Sequence, residues 1–236
     1  VSESVALDVT QTLGRHPPVT PIWNAVDTAR FAPEGPALDL DALAGLAPAP
    51  PGTLRVGLVA TFARWKGHAL FIDAVRRLIS RHSMRAYIIG GPLYETDGSQ
   101  TSMAELRNLV RQLDLESTVG LTGFVPDAAS ALRALDIVVH ASTAPEPFGL
   151  VVAEAMACGR AVVVSDSGGV AELVAPGVDA LSYASGDASA LSREIERLLA
   201  DAPLRRRLGA AARRTASEKF SPASMESRIL AVYDHV

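Results

Sequence analysis

From Leu54 onward the chain alternates between strand-like and helix-like segments, and this alternation restricts the fold more than any other feature. Six short runs rich in β-branched residues are predicted as strands: Leu54–Phe62, Arg85–Gly90, Thr118–Gly123, Asp136–Ala141, Ala161–Ser165 and Ala180–Ala184. The segments between them are predicted as helices: Gly67–His82, Met103–Leu113, Ala128–Leu135, Phe148–Cys158 and Gly169–Val174. Alternation with short connections predicts an α/β fold with a doubly wound, mostly parallel six-stranded sheet. Ligands of such sheets bind at the carboxyl ends of the strands.

The segments outside the alternation are predicted to be mainly helical. Helices are predicted after the last strand at Asp187–Ala200, Pro203–Lys219 and Pro222–Val236, and Ser2–Leu13 is predicted as a strand end running into a helix. The triplet Asp39-Leu40-Asp41 is of a kind that can hold a divalent metal against a diphosphate. It follows no predicted strand, however, and the leucine spacing around it favours a short surface helix with acidic residues in its first turn.

Composition excludes several classes of function. The chain has 236 residues, a net charge of -4 and a pI near 5.7, which predict no general attraction to nucleic acid. Its one cysteine, Cys158, excludes an internal disulfide framework, and the five histidines show no metal-ligand spacing. No apolar run approaches the ~20 residues of a transmembrane helix. The chain opens on Val rather than Met, so we expect it to be a fragment.

Two glutamates separated by seven residues are the clearest candidate site residues. Glu146 lies in a loop beside Pro147, and Glu154 is the only charge in the apolar run from Phe148 to Gly159. A helix that is apolar on all sides is buried, and a carboxylate inside it is costly unless it is hydrogen-bonded. A polyhydroxy ligand is one such partner. The alternative is that Glu154 points to water from an amphipathic helix.

The loops at the carboxyl edge of the predicted sheet carry the other candidates. Arg64 and Lys66 follow the first strand and precede a helix, which suits phosphate oxygens, although two surface cations at a helix start would look the same. Gly90 and Gly91 allow close approach of a ligand to the backbone, and the long loop from Gly91 to Gln100 is either a lid or a surface loop. The turn 123–127 after the third strand either reads a base edge or is a plain connection.

Five motifs in this order resemble a known family. They are Trp65-Lys66-Gly67, Gly123-Phe124-Val125-Pro126, Glu146-Pro147-Phe148-Gly149-Leu150, Glu154-Ala155-Met156-Ala157-Cys158-Gly159 and Gly168-Gly169 with Glu172. The chain resembles, over roughly residues 1–230, the C-terminal donor-binding domain of GT-B fold retaining glycosyltransferases of family 4 (group 1). By this resemblance, residues 1–30 are the interdomain crossing and a remnant of an N-terminal acceptor domain, and residues 31–236 are the nucleotide-sugar-binding domain.

The resemblance implies a role for each candidate residue. The catalytic group is expected to be Glu146 on the donor sugar, with Lys66 and Arg64 on the diphosphate. Glu154 is expected to accept hydrogen bonds from the ribose, and Val125 with its neighbours to receive the base. The expected donor-binding residues are Thr61, Gly91, Phe124, Val125, Phe148, Gly149, Leu150 and Glu154. Thr61 departs from the family, because the usual Gly-Arg before Lys-Gly is Ala60-Thr61 here.

The expected reaction transfers a hexose from a UDP-sugar or GDP-sugar, without a metal or other cofactor, to an acceptor hydroxyl. The resemblance implies an acceptor glycan, lipid or small molecule bound by an N-terminal domain that is expected to be missing here, and a location in the cytoplasm or at the inner face of the membrane. The isolated fragment is expected to be inactive. Two alternatives are a non-catalytic nucleotide-sugar-binding module, favoured by Thr61, and a GT-B-type epimerase. A dinucleotide oxidoreductase is disfavoured because no G-x-G-x-x-G follows the first strand.

Overall fold

A single parallel sheet of six strands organises the protein, whose computed structural model describes residues 1–13, 19–92 and 99–234. The strands are β1 (Leu54–Val59), β2 (Met84–Ile89), β3 (Val119–Gly123), β4 (Ile137–His140), β5 (Ala161–Ser165) and β6 (Leu181–Tyr183). They lie in the order β3-β2-β1-β4-β5-β6, and every neighbouring pair is parallel. The predicted α/β class and doubly wound sheet are confirmed. The strand order reverses between β1 and β4, which is where such sheets bind ligands.

Ten α-helices and one 3₁₀ turn are present in the described residues. The helices are α1 (Glu3–Leu13), α2 (Leu40–Ala44), α3 (His68–Arg76), α4 (Met103–Gln112), α5 (Ala128–Arg133), α6 (Leu150–Ala157), α7 (Val170–Leu173), α8 (Ala188–Ala200), α9 (Ala202–Lys219) and α10 (Pro222–Tyr233). The 3₁₀ turn spans Arg64–Lys66. No helix in the described ranges is long and apolar enough to cross a membrane.

Two predicted elements end several residues early in the structure, and one predicted strand end is wrong. β1 ends at Val59 rather than Phe62, although the amides of Ala60 and Phe62 still donate to the carbonyls of Ile89 at 3.0 Å and Gly91 at 3.1 Å. α3 ends at Arg76 rather than His82, and the chain continues from residue 77 as turns. The strand end predicted at Ser2 is wrong, since α1 begins at Glu3 with no strand before it in the described residues.

Two hydrophobic clusters cover the two faces of the sheet. Alternate residues of β2 point to opposite sides: Ala86 and Ile88 belong to one cluster, and Tyr87 and Ile89 to the other. Helices α3, α4 and α8 supply the first cluster, and α2, α5, α6 and α7 supply the second, with α9 contributing to both. Both faces are therefore buried, as expected for a parallel sheet.

The acidic triplet around Leu40 is only partly the surface feature that its sequence predicts. Asp39 caps α2 by accepting a hydrogen bond from the Ala42 amide at 3.0 Å. Asp41 is buried, however, and its carboxylate contacts Arg55, Arg85 and the hydroxyl of Tyr87, which lies 2.6 Å away. Burial would raise the pKa of Asp41, but hydrogen bonds from Tyr87, the Ala49 amide and Arg85 outweigh it and lower the pKa to about 2. This pair of aspartates therefore serves structure.

Candidate functional site

An open cleft of about 370 Å³ lies at the carboxyl ends of β1 and β2 and is closed on one side by the start of α6. Eight of the predicted site residues line it: Thr61, Lys66, Gly91, Phe124, Val125, Glu146, Leu150 and Glu154. They come from the loops after four different strands and from α6. The cleft has the size and the mixed apolar and charged wall of a small-molecule site.

Three predicted residues do not line this cleft. The guanidinium of Arg64 points away and pairs with Glu105 at 3.1 Å on the surface. Phe148 is buried and packs edge-on against Phe220, with ring centroids 6.0 Å apart. Gly149 precedes α6 with a φ of 88°, and a Cβ there would lie 2.7 Å from Val170. Phe148 and Gly149 thus set the position of the first turn of α6, which itself reaches the cleft at Leu150.

Glu146 is held by three hydrogen-bond donors. Its Oε1 accepts from the Lys66 ammonium at 2.7 Å. Its Oε2 accepts from His140 Nε2 at 2.6 Å and from the Ser142 hydroxyl at 3.0 Å. Burial would raise the pKa of Glu146, but the hydrogen bond and charge of His140, together with Lys66, lower it to about 2. The carboxylate is therefore ionised and fixed in orientation at neutral pH.

Close backbone packing brings Lys66 to Glu146. The 3₁₀ turn that carries Lys66 ends at Gly67, whose φ is 73°, and a Cβ there would lie 1.8 Å from the carbonyl oxygen of Ala141. Glycine is required at this contact. The Thr143 amide donates to the Trp65 carbonyl at 2.7 Å, and the Lys66 ammonium lies 4.2 Å from the Trp65 ring centroid. The loops after β1 and β4 are thereby joined.

His140 is a site residue that the sequence analysis missed. It is the last residue of β4, it is 4% exposed, and its Nδ1 lies 3.1 Å from the hydroxyl of Ser165 at the end of β5. The spacing of the histidines along the chain bears only on metal binding. A polar residue that ends a buried strand at the binding edge of a parallel sheet was the available signal.

Glu154 has a different environment in the same cleft. It lies within α6 among buried apolar residues, and none of the described residues hydrogen-bonds its carboxylate. Burial raises the pKa of Glu154 to about 7, against the opposing charge of Arg30. The predicted lone charge of an apolar helix thus faces a cleft rather than bulk water, so a ligand with hydroxyl donors can reach it.

The glycine-rich turn before α7 connects the Glu146 loop to α1. The Gly169 amide donates to the Glu146 carbonyl at 2.7 Å, and a Cβ on Gly169 would lie 2.1 Å from the Pro147 carbonyl oxygen. Three residues on, Glu172 accepts hydrogen bonds from the amides of Glu3 at 2.8 Å and Ser4 at 2.7 Å. Glu172 was predicted only as part of a motif; it caps the first turn of α1.

Two further expectations concern the loop after β2 and the use of a metal. The long loop after β2 has Gly91 on the cleft wall, whereas 93–98, and with them the possible lid, lie outside the described residues. Across the parts of the chain that the structure describes, no group of three or more histidine, cysteine, aspartate or glutamate side chains could hold a metal ion. Metal-independent chemistry remains a prediction.

Comparison with known proteins defines the family. The family model described as glycosyl transferases group 1 matches residues 48–215, and the chain belongs to this family. It is 34% identical over 218 residues to the lipopolysaccharide core biosynthesis mannosyltransferase LpcC of Rhizobium leguminosarum bv. viciae, covering 92% of this chain and 60% of the relative. It is 30% identical over 227 residues to alpha-maltose-1-phosphate synthase of Mycobacterium tuberculosis, covering 91% of this chain and 56% of the relative.

Solved structures agree with the fold. The crystal structure of Anabaena HepE in complex with UDP-glucose has a TM-score of 0.85 at 28% identity and covers 100% of this chain, which spans 62% of HepE. The crystal structure of the C-terminal domain of a group 1 family protein, LpcC from Francisella tularensis, has a TM-score of 0.71 at 26% identity. That comparison covers 84% of this chain and 99% of the other. Both structures share the fold of this chain, which spans about 60% of the length of its full-length relatives.

Proposed function

We propose that this domain binds a nucleoside-diphosphate sugar for a retaining glycosyltransferase of family 4, which transfers a hexose to an acceptor hydroxyl. The observation that carries the proposal is that Lys66, Glu146 and Glu154 line one cleft at the switch in strand order. A cation, a fixed carboxylate and a carboxylate without a protein partner suit a diphosphate, a sugar and a ribose respectively. The UDP and UDP-glucose complexes of HepE support this assignment.

Each part of the cleft has a proposed role in the reaction. Lys66 and the first amides of α6, which have no intrahelical acceptors, neutralise the diphosphate and the charge that develops as the sugar–phosphate bond breaks. Glu146 binds the sugar, Glu154 the ribose, and the apolar wall with Phe124 and Val125 the base. In a retaining transfer the acceptor attacks the face that the diphosphate leaves, and a phosphate oxygen takes the acceptor proton. No metal is required in this scheme.

The rest of the transferase is proposed from the resemblance and the partial coverage of relatives. Residues 1–30 would form the crossing to an acceptor-binding domain, and residues 31–236 the donor domain. The acceptor would be a glycan, lipid or small molecule bound mainly by the other domain, on the cytoplasmic side. We therefore expect the chain of 236 residues to bind donors without transferring sugar.

Calorimetry with UDP, GDP and ADP tests the donor site and identifies the base. At least one nucleotide should bind, and Lys66→Ala should weaken its binding by about 1–3 kcal/mol because a charge-assisted contact is lost. Arg64→Ala is the matched control, since Arg64 pairs with Glu105 outside the cleft. Absence of binding by all three nucleotides contradicts the proposal. If Arg64→Ala weakens binding and Lys66→Ala does not, Arg64 rather than Lys66 binds the diphosphate.

A second candidate is a non-catalytic nucleotide-sugar-binding module. It is favoured by Thr61, which lines the cleft where the family usually has arginine, and by Lys66 being the one cation among the described residues that line it. The two candidates differ in turnover by the full-length protein. Release of UDP or GDP from the donor, lost on Glu146→Gln, supports the transferase. Donor binding without any release supports the module.

A further inference from the structure

In the proposed donor complex, two anions compete for the Lys66 ammonium: the Glu146 carboxylate and the diphosphate. The ammonium donates to Glu146 Oε1 at 2.7 Å, and the Lys66 side chain is 14% exposed. A diphosphate in the cleft carries more negative charge than the carboxylate and therefore attracts the same ammonium more strongly. Contact with phosphate oxygens draws Lys66 away from the carboxylate, whose Oε1 then loses its donor.

A buried carboxylate that loses the lysine paired with it does not stay ionised without compensation. Desolvation favours the protonated form, in which one oxygen becomes a donor instead of an acceptor. A protonated Glu146 would then donate from one oxygen, where the ionised form accepts a hydrogen bond from a sugar hydroxyl. The cleft therefore needs a second group that stays with Glu146 when Lys66 leaves.

His140 has the geometry for that task. Its Nε2 lies 2.6 Å from Glu146 Oε2, on the side of the carboxylate away from Lys66, and His140 is not part of the cleft wall. Because the ionised carboxylate is only an acceptor, Nε2 carries the proton. Ser165 holds the other ring nitrogen at 3.1 Å, and both side chains are buried at the ends of neighbouring strands. The ring is therefore fixed independently of any ligand.

We propose that His140 is a positioning residue that keeps Glu146 ionised and oriented while Lys66 moves from Glu146 to the diphosphate, so that Oε1 becomes free to accept a hydrogen bond from the donor sugar. Ser142, 3.0 Å from Oε2, assists as a neutral donor. This inference rests on the proposed donor site. In this proposal the sugar subsite opens when Lys66 exchanges Glu146 for the diphosphate.

The test compares His140→Phe with His140→Gln, of which only the second keeps an N–H donor. The δ-carboxyl carbon of Glu146 is observed by ¹³C NMR at pH 7, assigned by its loss in Glu146→Gln, with and without UDP. In the wild type it should stay ionised in both states. In His140→Phe it should be ionised without UDP, through Lys66, and protonated with UDP. UDP affinity should fall about tenfold in His140→Phe, as expected for one charge-assisted hydrogen bond, and recover largely in His140→Gln.

His82→Phe is the matched control. His82 Nε2 contacts Glu196 at 3.0 Å, so this variant also removes a histidine–glutamate pair, but one beyond α3 and away from the cleft. It should leave the Glu146 signal and UDP affinity unchanged. A Glu146 carboxyl that stays ionised in UDP-bound His140→Phe overturns the inference, as does an equal loss of affinity in His82→Phe.

A wild-type measurement keeps the inference testable if His140→Phe does not fold. ¹⁵N NMR should show a proton on His140 Nε2 before and after UDP is added; an unprotonated Nε2 in the complex overturns the inference. GDP or ADP replaces UDP if calorimetry selects it. Failure of the wild type to bind any of the three removes the donor site itself. Normal binding with no effect of His140 removes only the role of the histidine.

Discussion

The two carboxylates of the cleft, Glu146 and Glu154, are separated by seven residues but have opposite environments. Three protein donors satisfy Glu146, and its pKa is lowered to about 2. Glu154 has no donor among the described residues, and burial raises its pKa to about 7. One end of the cleft is therefore organised before a ligand arrives, whereas the other end lacks a partner that a ligand can supply.

This difference separates two ways of using a buried carboxylate. Glu146 is an acceptor whose Oε2 is held by His140 and Ser142, so in the proposed donor complex only its contact with Lys66 has to be exchanged. Glu154 destabilises the free protein when it ionises, and ribose hydroxyls would relieve that cost on binding. Local departures from good hydrogen bonding are expected at functional sites. Glu154, the unsatisfied glutamate, is therefore the stronger candidate for a direct contact with the proposed ligand.

The largest expected effect is the destabilisation caused by Glu146→Ala. The native pKa of about 2 lies below the unfolded value of 4.5, so ionised Glu146 stabilises the fold above pH 4.5, and this stabilisation is lost as the pH falls towards 2. We expect Glu146→Ala to lower the free energy of unfolding by about 3 kcal/mol at pH 7, because Lys66 and His140 lose their partner. Urea unfolding at pH 7 and pH 3 measures this, and the deficit should shrink at pH 3.

Glu154→Ala in the same assay is the comparison that can break this picture. It removes a carboxylate from the same cleft without removing a protein hydrogen bond in the described structure. An equal loss of stability in both variants would show that burial of the side chains, rather than their polar partners, separates them.

The second expected effect is a change in the pH dependence of stability in Glu154→Gln. The native pKa of about 7 lies above the unfolded value of 4.5, so stability falls as the pH rises from 4.5 to 7 and is constant above that range. Glu154→Gln removes this term and should raise the free energy of unfolding at pH 8 by about 2 kcal/mol, a value below the full linkage because the side chain is partly exposed. Thermal unfolding from pH 4.5 to pH 8 measures the slope.

Binding should move in the opposite direction from stability in the same variant. An amide is a poorer acceptor for the ribose hydroxyls than a carboxylate, so nucleotide affinity should fall by about 1 kcal/mol. A variant that gains both stability and affinity would exclude Glu154 as the ribose contact.

The sequence predicted the parts of this protein that depend on local periodicity. The alternation of the pattern predicts the six strands and the apolar helix α6. Because parallel strands present their carboxyl ends at one edge of the sheet, it also predicts that Lys66 and the two glutamates lie at the same edge. Element ends were less accurate: β1 ends at Val59 and α3 at Arg76, several residues before the ends that the pattern predicts.

Contacts between side chains were beyond the sequence pattern. The sequence predicts Asp41 as a surface acid, whereas in the structure its carboxylate is surrounded by Arg55, Arg85 and Tyr87, all from strands. Arg64 follows the correct strand, but its guanidinium reaches Glu105 instead of the cleft. Sequence order places a residue at an edge of the sheet; it does not give the direction of a long side chain, which depends on partners distant in the sequence.

The smallest expected effect concerns Glu172, a third carboxylate, whose partners are the backbone amides of Glu3 and Ser4. Glu172→Gln keeps one acceptor and loses the charge at the start of α1, so the free energy of unfolding should fall by about 1 kcal/mol. Hydrogen exchange at the Glu3 and Ser4 amides should quicken. Asp187→Asn, which alters the cap of α8 at the Ala190 amide, should cost a similar amount without affecting α1. If Glu172→Gln also shifts the Glu146 carboxyl signal, the α1 cap and the Glu146 loop are coupled through Gly169, whereas an unchanged signal would show that Glu146 depends only on its own three donors.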